Sequence, residues 1–157
     1  MAFRELIAMK KSLKSPQKGD VFILQPQKNV FYFGKVIQTD LESADSFIKG
    51  MTLIYIYDSA CSEKAIPKHF DECELLIAPI IVNNQPWIKG YFETLDNISV
   101  SERERDLEFG FWDLLTQKYV DIHGKKIGKK PKYCSIYGLG SYGIVGEEVQ
   151  KAIASKQ

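Results

Sequence analysis

His69, Asp71, Glu72 and Cys73 fall within five consecutive positions and place an imidazole, two carboxylates and a thiol in one short stretch. A thiol and an imidazole are the parts of a nucleophile and its general base. That chemistry needs the two groups to converge in space, an activated thiolate and donors aimed at a developing oxyanion. Spacing alone supplies none of these, so a small enzyme built around His69 and Cys73 ranks third among the readings. The only other imidazole is His123, and neither a two-histidine helix motif nor a carboxylate-rich calcium loop occurs. No metal and no cofactor are expected.

Gly138, Gly140 and Gly143 match the GxGxxG spacing of a dinucleotide-binding turn. That turn works only between two parallel strands, with an acidic residue roughly 20 positions onward to hold the ribose. No such strand and acid follow, so the segment is predicted to be a glycine-rich turn.

Two charged stretches bear on partners. Glu102, Arg103, Glu104, Arg105, Asp106 and Glu108 form a dense mixed-charge run. Such an array can raise the association rate and reject wrong partners, which makes these residues the candidates for binding a protein. Lys125, Lys126, Lys129, Lys130 and Lys132 are the strongest nucleic-acid feature of the chain. Against that use stands a formal net charge of +1, with no general basic excess for neutralising phosphates. Trp87, Tyr91 and Phe92 beside Lys89 could stack bases, but rings in an apolar strand more often pack into a core.

The elements that must carry these residues begin with a hairpin. Strands are predicted over 21–24 and 30–37, joined by a polar turn at 26–29. In the second strand Val30, Tyr32, Gly34 and Val36 face one way, and Phe31, Phe33, Lys35 and Ile37 the other. Both faces are largely apolar, so each needs a cover. A central strand is predicted at 51–57, then a polar loop and a helical turn near 67–70. A strand is predicted at 73–82, where Pro79, unable to donate to a ladder, implies a sheet edge or a bulge about midway. Asn83 and Asn84 are predicted to turn it into an antiparallel partner at 86–92. Ser99 with Glu102, and Ser101 with Glu104, match the capping-box spacing of a short helix. A strand pair is predicted near 109–122, in which 112–118 reads equally as a helical turn, and a last strand at 133–137. Phe3, Leu6, Ile7, Met9 and Leu13 have helical spacing and predict a short N-terminal helix. Residues 146–155 predict a C-terminal one.

The sequence has 157 residues, 45% hydrophobic, 26% charged and 12% aromatic, which fits a single strand-rich globular domain. Three cysteines without CxxC spacing, Cys61, Cys73 and Cys134, indicate neither a disulfide framework nor a zinc knuckle. With no apolar run near the ~20 residues that span a bilayer, and no signal-peptide pattern at the N-terminus, a soluble cytoplasmic protein is expected.

The order of motifs resembles the immunity protein 26 family of bacterial polymorphic-toxin systems, over roughly residues 15–92. The residues that carry the likeness are Lys18 through Phe22 (KGDVF), Tyr32 through Ile37 (YFGKVI), Leu53 through Tyr57 (LIYIY), Leu76 through Pro79 (LIAP) and Pro86 through Gly90 (PWIKG). The resemblance implies an α+β protein, without chemistry of its own, that binds and neutralises a cognate toxin. The expected architecture is a strongly bent antiparallel sheet or SH3-like open barrel, with N- and C-terminal helices packed outside. A small nucleic-acid-binding domain using the basic loop is the alternative reading.

Overall fold

The computed structural model describes residues 6–156. Strands β1 (Asp20–Gln27) and β2 (Val30–Gln38) form the expected hairpin. Its turn is tighter than predicted: Pro26 and Gln27 belong to β1, leaving Lys28 and Asn29 as the loop. Asn29 takes the left-handed conformation (φ 60°) that such a turn requires, and its N–H donates to Gln25 Oε1 at 2.9 Å. Strand β3 (Thr52–Cys61) pairs with β2, and β4 (Ile80–Val82) with the far edge of β3. The sheet is antiparallel throughout, in the order β4-β3-β2-β1-β5, where β5 is Glu93–Asn97.

Both faces of this sheet are covered. On one, Val21, Ile23, Phe33, Leu53, Tyr55 and Tyr57 pack with Leu41, Ile48, Phe70 and the second sheet's Phe111 and Val120. On the other, Phe22, Leu24, Tyr32, Val36, Ile54 and Ile56 meet Leu6, Trp87, Phe92, Val145 and Val149. Gly34 is required on this second face. A Cβ there would strike the Phe22 ring and come within 2.8 Å of the Tyr55 carbonyl oxygen, so the missing side chain makes the hole that Phe22 fills. Phe22 in turn stacks on Phe92 at 4.4 Å between ring centroids.

A second, three-stranded sheet holds β6 (Phe109–Asp113), β7 (Lys118–Val120) and β8 (Tyr133–Ile136), in the order β7-β6-β8. The strands thus divide between two sheets instead of curling into one barrel, and β8 lies parallel to β6, where an antiparallel arrangement was expected. Helix α1 (Gln85–Ile88) and helix α2 (Glu102–Arg105) are single turns, and α3 (Tyr142–Ala154) is the long C-terminal helix.

Four further expectations need correction. The predicted N-terminal helix is absent from residues 6–13, which carry no regular secondary structure; Phe3, Arg4 and Glu5 lie outside the described residues. The N–H groups of Ile7, Met9 and Ser12 bond to the carbonyls of Gln25, Gly90 and Trp87, so tertiary hydrogen bonds replace helical ones. The segment 86–92 is not a strand: Gln85 starts α1, with Asn83 Oδ1 accepting from its N–H, and Pro86, which has no N–H to lose, fits the first turn. The strand expected over 73–82 survives as β4 and an isolated Tyr57–Leu75 bridge, because the chain bulges away from β3 between Leu76 and Pro79. The C-terminal helix also starts earlier than predicted, since Ser141 caps it by accepting from the Ile144 N–H at 3.2 Å.

Candidate functional site

Lys35 stands in the middle of β2 with apolar neighbours before and after it, and its side chain is 1% exposed. Burying an ammonium there is tolerable only with acceptors close to it. They come from the start of α2. Lys35 Nζ donates to Glu104 Oε1 at 2.8 Å and to the Ser99 carbonyl at 2.9 Å. Glu104, equally buried, also accepts from the Ser101 N–H at 2.9 Å and from the Tyr57 hydroxyl at 2.5 Å. Tyr55 OH donates to the Glu104 carbonyl at 2.9 Å.

Of the two capping boxes in the sequence, the one formed by Ser101 and Glu104 is built, so one carboxylate both caps α2 and ties it to the sheet. Burial pushes the Glu104 carboxyl up, but Lys35, Ser101 and Tyr57 together hold it below the ordinary carboxylate range. Burial first, then the Glu104 charge, raise the Tyr55 hydroxyl far above its usual value.

Glu104 is therefore not a surface charge, and a partner would not meet it as one. Glu102, Arg103, Arg105, Asp106 and Glu108 do lie at the surface. Arg105 donates to the Val100 carbonyl at 2.8 Å. Beside them, Tyr133 OH donates to Glu74 Oε2 at 2.7 Å, Lys132 Nζ lies 3.8 Å from the same carboxylate, and the Lys132 N–H donates to Glu108 Oε2. These contacts join the mixed-charge run to the basic loop, two stretches that the sequence presents separately. A depression of about 30 Å³, lined by Glu74, Arg103, Leu107 and Tyr133, opens above Tyr57 and Glu104.

Lys125, Lys126, Lys129 and Lys130 are exposed, as is Lys132. Their loop is anchored on the small sheet: the Ile127 N–H donates to the Tyr119 carbonyl at 2.9 Å, and Ile127 and Pro131 occupy the space over Gly110.

The other candidates disperse. His69 is exposed and lies 3.5 Å from Glu72, while Cys73 packs against the core; no hydrogen bond joins them, and the Asp71 side chain lies outside the described residues. Trp87 and Phe92 are buried, which removes them from any base-stacking surface, and Tyr91 stacks on Tyr142. The glycine-rich stretch is a turn whose Gly140 N–H donates to the Ile81 carbonyl at 2.6 Å. Among the described residues no group of three His, Cys, Asp or Glu side chains could hold a metal, and no helix is long and apolar enough to cross a membrane. Sequence reading missed Lys35; the available signal was a lysine set inside an otherwise apolar strand.

These features define a strand-rich α+β protein in which a buried ion pair ties a short charged helix to the main sheet. The sequence model of immunity protein 26 matches residues 17–120, and the chain belongs to that family. The match reaches beyond the stretch 15–92 over which the likeness was legible, and takes in α2, β6 and β7. No curated protein and no solved structure matches the chain. Membership implies an antidote with a cognate toxin as partner, in a class that is typically not enzymatic.

Proposed function

We propose that this chain neutralises its toxin in the bacterial cytoplasm by binding it one to one and covering the surface the toxin works with. The observation that carries this reading is the fixing of α2 on the sheet by the buried Lys35–Glu104 pair. A short charged helix held in one geometry presents Glu102, Arg103, Arg105, Asp106 and Glu108 without further ordering on association, which favours both affinity and rate. An interface of roughly 800 Å² on each partner takes in these charges together with the Lys132 and Tyr133 junction.

The test is protection of cells expressing the toxin domain encoded beside this gene. Wild type is expected to protect, and Glu102→Lys with Asp106→Lys to protect less, through slower association and a changed salt dependence, with circular dichroism unaltered. Equal protection would clear α2 of the interface. No protection by wild type would sink the reading.

A further inference from the structure

In β6, Phe111 points into the core, so Trp112 lies on the opposite, outer face of the small sheet. Its register partners there are Tyr119 on β7 and Ile136 on β8. Ile136 is 52% exposed and borders a groove of about 570 Å³, set between β8, residues 76–80 and α3. Ile144, 47% exposed, lines the same groove with Ile77. Together they leave an apolar groove open to solvent between β8 and α3.

The loop beside this face is basic, while the α3 side of the groove carries both signs, Lys151 with Glu148. Between 118 and 132 there are six lysines and one aspartate, in a chain whose net charge is only +1. Asp121 is turned inward to the loop, accepting from the His123 and Lys125 N–H groups. The basic loop sits over the outer face at Gly110, and Lys130 is near enough to act on the half-buried Cys134 thiol, which burial raises and Lys130 lowers. On the far side Lys151 pairs with Glu147 at 3.3 Å, so the uncompensated charge is that of the loop.

We propose that this outer face and its groove are the anchor site for the partner toxin, and that they take an acidic segment of that protein bearing apolar side chains. The inference rests on the binding reading above and adds a second contact region to it. Lysines at the rim would steer the acidic segment while the groove desolvates its apolar residues, the usual division between rim and centre of an interface. A nucleic acid suits the site less well, because phosphates gain nothing from the exposed isoleucines.

The experiment measures binding of the adjacent-gene toxin domain to wild type, Ile136→Glu, Ile144→Glu and Lys129→Glu with Lys130→Glu, each checked for folding by thermal melts. A 20-nucleotide single strand serves as the competing probe. Each isoleucine variant, on a different element, is expected to lose at least about tenfold in affinity. The lysine pair is expected to slow association and flatten its salt dependence. Tight toxin binding by wild type and by all variants alike would overturn this surface while leaving the binding reading standing. Failure of wild type to bind would remove both. Oligonucleotide binding that survives physiological salt and vanishes in the lysine variant would overturn the proposal in favour of nucleic acid.

Discussion

Replacing Glu104 by alanine is expected to be among the most damaging single substitutions outside the apolar core. It leaves the Lys35 ammonium, 1% exposed, with the Ser99 carbonyl as its remaining acceptor, and it strips the Tyr57 hydroxyl and the Ser101 N–H of theirs. Removing one partner of a buried ion pair costs about 3–5 kcal/mol. In a domain of this size each kcal/mol lowers the melting temperature by roughly 2–4 °C, so a fall of about 6–20 °C follows.

Lys35→Met should be similarly harmful, because it strands the carboxylate. The double variant Lys35→Met with Glu104→Gln should be less damaging than the sum of its singles, since neither charge then remains buried. Full recovery is not expected, because glutamine's single carbonyl oxygen replaces two acceptors that now serve both Ser101 and Tyr57. Urea unfolding of the four proteins gives the cycle directly. A loss below about 1 kcal/mol for Glu104→Ala, or strictly additive singles, would refute the claim that this pair clamps α2 to the sheet.

The folded-state Glu104 carboxyl lies below its ordinary value, so its contribution is present above the unfolded pKa and lost as pH falls through the folded one. Acid titration of stability should therefore show a steeper loss below about pH 4.5 in wild type than in Glu104→Gln. Gly34→Ala should cost about 1–3 kcal/mol by equilibrium unfolding, because the Tyr55 carbonyl it would crowd belongs to the paired backbone of β3. Glu102→Lys with Asp106→Lys should leave stability within about 0.5 kcal/mol of wild type, both side chains being exposed.

Alternation made the main sheet readable. The faces assigned to Phe31, Phe33 and Ile37, and to Tyr32 and Val36, are those the structure uses, because a period of two leaves no freedom once one face is buried. The N-terminal segment and residues 86–92 were misread for a common reason: their local patterns were overridden by contacts remote in sequence. Ile7 bonds to Gln25 and Met9 to Gly90, partners that no periodicity reveals. The Lys35–Glu104 pair spans 69 positions and was equally invisible as a pair, although the lysine and the Ser101–Glu104 box were each in plain view. The same distance effect hid the junction at Glu74, Glu108 and Lys132, which makes one surface of two charged stretches. A capping box was legible as a helix start, but not as the point where a buried charge is neutralised.

Titrating the toxin's activity with increasing amounts of this protein tests the proposed stoichiometric binding most directly. Binding predicts a linear fall that reaches its end at one chain per toxin, reversed when the complex is dissociated. Complete neutralisation at a small fraction of that ratio, or toxin still inactive after separation, would contradict it and point to chemistry performed on the toxin.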